Sequence, residues 1–171
     1  MEREKVKARE RVMIFVEGSN IFHASRRLGL KIDYYKLITT LVGDRTLVRP
    51  YFYASTTVPP TKAHFRFLQS LKYRGFTVVT KPVKAITKDI LIEKGLDVAL
   101  ATDMLVSAFR DLFDTAILVS GDEDYTPVLD EIKRLGKKVE VAAFNFAIGK
   151  ELKSVADRYV ALDDLLDKIE V

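Results

Sequence analysis

The chain of 171 residues contains no cysteine, which excludes a disulfide framework, a thiolate zinc site and a cysteine nucleophile at once. Only two histidines occur, His23 and His64. Neither is identifiable as a base for Ser19 or Ser120, so serine-hydrolase chemistry finds no support, and both are expected at surface or packing positions. No apolar run reaches the ~18 residues of a membrane span. The opening MEREKVKARERV also lacks the apolar segment of a signal peptide. A cytoplasmic protein with no membrane contact is therefore expected. Neither the Walker phosphate loop nor the spaced-glycine dinucleotide motif is present.

What is present suits a globular protein: 48% hydrophobic and 30% charged residues leave no case for a disordered body. The length fits one domain, expected over residues 11–171, with residues 1–10 as a charged arm. Net charge is 28 − 24 = +4, which weakly favours an anionic partner. A homodimer is one assembly that the apolar helices allow.

Short β-favouring runs alternate with helical periodicity along the chain. RVMIFVEG, LVRPYFYAS, FTVVTKPV, TAILVS and KKVEVAAF read as strands, with Pro50 suited to a strand start or a bulge. SNIFHASRRLG, DYYKLITTLVG, PPTKAHFRFLQSLKYRG, GLDVALATDMLVSAFRD and TPVLDEIKRLG read as helices. Asp33 is the expected N-cap of the second, and Thr126 that of the fifth, with Pro127 at its first position. Residues 84–94 read as a loop or short hairpin, and KELKSVADRYVALDDLLDKI as helical stretches interrupted near Tyr159. The alternation predicts an α/β three-layer sandwich, with a mostly parallel central sheet flanked by helices.

Sites in such folds form beyond the carboxyl ends of the strands. Glu17 closes the first strand, Asp122 and Asp124 follow TAILVS, and Asp97 opens a helix, so four carboxylates are expected at one sheet edge. Asn20, in the turn after Glu17, is placed to hold a neighbouring carboxylate, and Glu123 is expected to face water. Asp103 lies about 120° around the helix from Asp97, which suits an edge ligand or a group that orients the Asp122 loop. Each acid alone has an ordinary explanation as a helix cap. Their convergence is what points to chemistry. Oxygen donors without cysteine suit a hard cation, Mg²⁺ or Mn²⁺, and phosphodiester hydrolysis is the natural reaction.

Three segments in order, IFVEGSNIF, KGLDVALATDML and LVSGDEDYTPVL, resemble the NYN domains of the LabA/DUF88 type, within the PIN-like nuclease superfamily. The resemblance covers roughly residues 11–162. It implies a PIN-like fold, a metal-dependent acidic centre and ribonuclease activity. Carried over by position, Glu17, Asn20, Asp97, Asp122 and Asp124 form that centre, with Asp103 at its margin. One position departs from the family pattern, which has Asp where Glu17 stands; the extra methylene moves the carboxylate by ~1.5 Å. A non-catalytic RNA- or protein-binding module is therefore the alternative reading.

An acidic centre acting on a polyanion needs cations around its rim. Lys81, Lys84, Lys88 and Lys94, with Arg26 and Arg27, are the candidates for RNA phosphates. Tyr125, inside the acidic loop, is the candidate for stacking on a base.

Overall fold

The computed structural model describes residues 8–85, 87 and 91–171. Its core is a six-stranded sheet, all parallel, made of β1 (Arg11–Glu17), β2 (Thr46–Thr56), β3 (Thr77–Pro82), β6 (Thr115–Val119), β7 (Lys138–Ala143) and β8 (Arg158–Ala161). The order is β3-β2-β1-β6-β7-β8. The chain thus builds outward from β1 in one direction, then returns to the other side of β1 and builds away again. The reversal falls between β1 and β6, the position where open α/β sheets form their crevice.

Side-chain alternation along β1 divides the core into two layers. Val12, Ile14 and Val16 pack with α1 (Gly18–Arg27), α2 (Tyr34–Val42), α3 (Lys62–Tyr73) and α7 (Leu166–Ile169). Met13 and Phe15 pack instead with α4 (Leu96–Phe109), α5 (Thr126–Arg134) and α6 (Lys150–Val155). Both layers are buried, which is why the strands read as continuous apolar runs.

Local signals account for most boundaries. Asp33 Oδ1 accepts from the backbone N–H groups of Tyr35 and Lys36 and caps α2. Pro50 sits two residues beyond a register shift that leaves Val48 as an extra residue, and one residue before β3 begins to pair. Its missing N–H therefore leaves no ladder bond unmade there. Of the segment expected as a loop or short hairpin, the described residues pair as β4 (Lys84–Ala85) antiparallel to β5 (Leu91–Ile92).

Three sequence-based expectations change. The stretch around Tyr159 is the strand β8, pairing with β7 from Glu140↔Arg158 to Ala143↔Ala161, rather than an interruption between helices. Thr126 does not cap α5: it lies inside the first turn, after Tyr125, and its hydroxyl is buried without a partner among the described residues. Glu10, assigned to the arm, belongs to the sheet's amino end, where its carboxylate accepts from Thr115 Oγ1 at 2.6 Å.

At that same end Arg45 lies beneath the sheet. Its guanidinium donates to both oxygens of the buried Glu140 carboxylate, at 2.8 and 3.1 Å, and to the carbonyls of Leu41 and Val42.

Candidate active site

Glu17 ends β1 on the α4 side of the sheet, pointing the same way as Met13 and Phe15. Ser120 follows β6 and is fully buried. The Ser120 hydroxyl donates to Glu17 Oε2 at 2.5 Å, and its oxygen accepts from the Asp122 N–H at 3.1 Å. A short relay therefore ties the Asp122 backbone to the Glu17 carboxylate across the reversal point. Asn20, in the first turn of α1, accepts from the Gly121 N–H at 3.2 Å, so it fixes the acidic loop through its backbone and not through a carboxylate. Gly121 has no room for a side chain: a Cβ would lie 2.2 Å from the Ala147 carbonyl oxygen. The loop is clamped from both sides.

Asp122 begins a single 3₁₀ turn, Glu123–Tyr125, and its Oδ1 accepts from the Asp124 N–H at 2.9 Å. Capping thus belongs to Asp122, with its second oxygen left over. Glu123 faces water, as expected, and its Oε1 also accepts from the Glu151 N–H and caps α6. Asp97 lies in the first turn of α4, entered through Gly95 at φ 83°, a left-handed conformation that glycine adopts without strain. Asp97 and Asp124 are both exposed, and neither makes a side-chain hydrogen bond or ion pair among the described residues.

The electrostatics bear on function. Burial pushes the Glu17 carboxyl up to about 6; the Ser120 hydrogen bond opposes this, while the charges of Asp122 and Asp97 add to it. Like charges that repel at this distance mark a place prepared for positive charge. Removing the hydroxyl in Ser120→Ala should raise the Glu17 pKa further and, by leaving the Asp122 N–H without its partner, cost about 1–2 kcal/mol. Carboxyl NMR titration and urea unfolding of the metal-free protein would read both; a Glu17 pKa at or below the parent's would contradict the relay.

A family model described as NYN domain matches residues 11–163. The chain belongs to the NYN domain family. That places it in a PIN-like nuclease family. It is 26% identical over 167 residues to the low amplitude and bright protein LabA of Synechococcus elongatus, covering 94% of this chain and 88% of that protein. An uncharacterized protein of Methanocaldococcus jannaschii is 24% identical over 162 residues, and there the chain spans 58% of the relative's length. A crystal structure of a protein of unknown function from Vibrio parahaemolyticus superposes with a TM-score of 0.81 at 24% identity over the full length of both chains, which shows the shared fold.

Within this NYN domain the other expected site residues divide. Tyr53, opposite Glu17 in register on β2, is fully buried and donates from its hydroxyl to Asp103 Oδ2 at 2.8 Å. Asp103 is therefore held by β2 and does not orient the Asp122 loop. Burial and the Asp103 carboxylate push the Tyr53 phenol well above its ordinary value, so it stays a hydrogen-bond donor. Tyr125 is 2% exposed, with its ring in the core, which removes it as a stacking surface for RNA. Its buried hydroxyl lies beside the Glu17 carboxylate, and burial with the charges of Glu17, Asp122 and Asp97 keeps it protonated. Lys81, Lys84, Lys94, Arg26 and Arg27 are exposed, and the Arg27 guanidinium lies over the Phe146 ring at 5.1 Å. Lys81 extends from the carboxyl end of β3, two strands from Glu17. Lys88 lies outside the described residues.

The donor set fits a hard cation in kind: oxygen ligands, a carboxylate whose ionisation its neighbours oppose, and two free acids at the rim. Among the described residues no three acidic or histidine side chains stand close enough together to hold an ion as they lie. Closing on a cation would require Asp97 and Asp124 to swing inward, which no hydrogen bond restrains.

Proposed function

We propose that this NYN domain is a divalent-metal-dependent ribonuclease cutting phosphodiester bonds at the carboxyl edge of β1 and β6. The observation that carries the reading is Glu17: a largely buried carboxylate, pushed up to about 6 at the reversal point, with two acids from other elements adding to the shift. Folding alone gains nothing from such an arrangement, whereas a bound cation would relieve it. Glu17, Asp97, Asp122 and Asp124 would hold Mg²⁺ or Mn²⁺, which supplies Lewis acidity and lowers the pKa of bound water. Ser120 keeps Glu17 in one orientation, and Asn20 fixes the backbone from which Asp122 projects. The exposed Lys81, Lys84, Lys94, Arg26 and Arg27 offer phosphate contacts that do not depend on sequence.

Cleavage of RNA, single-stranded DNA and duplex DNA with Mg²⁺, Mn²⁺ or chelator tests this directly. RNA cutting that needs the divalent ion is expected, with Glu17→Asp included to show how the longer side chain sets metal preference. Absence of RNA cutting under every metal would sink the reading. A second reading, a non-catalytic RNA-binding module, draws on the lack of a closed three-ligand group. RNA binding without Mn²⁺ binding at millimolar concentration, measured by calorimetry, would favour it.

A further inference from the structure

One residue past Glu17 the chain crosses to the opposite face of the sheet, where a cavity of about 640 Å³ opens between α1, α2, α3 and the carboxyl half of β2. That volume lies within the range of small-ligand sites, roughly 300–1,000 Å³. Its lining includes an aromatic cluster: Tyr34 and Phe52 meet edge to face at 4.8 Å, Phe52 and Phe67 at 5.8 Å, and His64 leans on Phe67 at 6.4 Å. Gly18 lines the same cavity against the Phe52 ring, and a Cβ there would stand 2.5 Å from Phe52 Cζ. The aromatic wall is thus continuous with the backbone that carries Glu17.

Inside this setting His64 Nε2 has no partner among the described residues and is buried on a side chain that lines the cavity. Ser55 lines it too, and its hydroxyl is likewise buried and unpartnered. Buried polar atoms are normally satisfied, so two orphans on side chains that line an apolar cavity suit a ligand that is flat, apolar on its faces and polar at its edge. Two cations, Arg26 and Lys31, also line the cavity and make no ion pair among the described residues; Glu93 is the one acid in the lining.

We propose that this cavity binds one unpaired base of the RNA, next to the phosphate presented to Glu17, with Arg26 and Lys31 on the flanking phosphates. The base stacks on the exposed rings of Phe67 and Phe22, over the buried Phe52 and Tyr34, and its edge meets the His64 side chain. This rests on the ribonuclease reading and narrows it to single-stranded or looped substrate, because a base held in a duplex has its edge paired and its faces stacked.

The test separates the pocket from the reaction. Asp122→Asn protein, without metal, is titrated by NMR with each nucleoside 5′-monophosphate and with ribose 5-phosphate as the baseless control. The nucleotides should shift the His64 ring and the α3 amides and bind at least about tenfold more tightly than the control. Ala63→Trp, a substitution at an exposed α3 position lining the cavity, should weaken nucleotide binding by at least about tenfold with circular dichroism unchanged. His64→Ala should weaken it as well. Equal binding of nucleotide and ribose phosphate, or unaltered nucleotide binding in folded Ala63→Trp, would overturn the proposal. Because no cleavage is read, a protein that fails to cut RNA would still give a clear answer about the cavity.

Discussion

Replacing Glu17 with Gln should move activity and stability in opposite directions. RNA cleavage should fall by more than about 100-fold, since a lost metal-ligating carboxylate exceeds the 10–100-fold typical of residues that merely orient ligands. The metal-free protein should become more stable at pH 7.5. The sign follows from linkage: the carboxyl is raised in the folded state from 4.5 to about 6, so its favourable contribution is complete below 4.5 and disappears as pH rises through 6. At neutral pH the ionised group opposes folding by about 1–2 kcal/mol after allowance for solvent, and Gln removes that opposition while keeping an acceptor for the Ser120 hydroxyl. For a chain of this size the melting temperature should rise by about 2–8 °C, and the parent's loss of stability between pH 4.5 and 6 should flatten. Thermal melts across that range with chelator, beside a cleavage assay, give both readings. A Gln variant that is less stable and equally active would remove Glu17 from the proposed centre.

A second large effect belongs to the other end of the sheet. Arg45→Met should destabilise the fold by about 3–5 kcal/mol, because the Glu140 carboxyl, at 10% side-chain exposure, would lose its two-pronged partner. The carbonyls at the end of α2 lose their donor as well. Arg158, 3.8 Å from Glu140, is too distant and too exposed to replace it. The double change Arg45→Met with Glu140→Met should recover most of the loss, since apolar side chains of similar size often substitute for a buried ion pair at no net cost. Urea unfolding of the two single variants and the double variant measures the coupling. If Arg45→Met alone lowers stability by less than about 1 kcal/mol, the pair is a surface contact in energetic terms.

The fold was legible wherever a strand is buried on both faces or a helix carries its own terminal signal. Five of the sheet's strands are apolar runs, and Asp33, Gly75 and Gly136 mark boundaries through capping or positive φ. β8 escaped because RYVA has four residues at a sheet edge, too few for a period of two to stand out from a helical one. The gathering of Glu17, Asp97 and Asp122 was legible because the rule for parallel sheets needs only strand ends. What holds them was not. Ser120 was visible as a serine without a base, and its real partner lies 103 positions away, across a register that only the folded sheet defines. Tyr53 and Asp103, 50 positions apart, present the same difficulty. Tyr125 misled because an aromatic ring among acids reads as surface, while the 3₁₀ turn carries it inward onto the core.

The separation between Glu17 and Ser120 also sets a clock. At ribosomal speeds of about 5–20 residues per second, roughly 5–20 s pass between synthesis of one half of the relay and synthesis of the other. Throughout that interval the nascent chain carries Glu17 with neither Ser120 nor Asp122 beside it, so the acidic centre cannot assemble while its own messenger is still being read over that stretch.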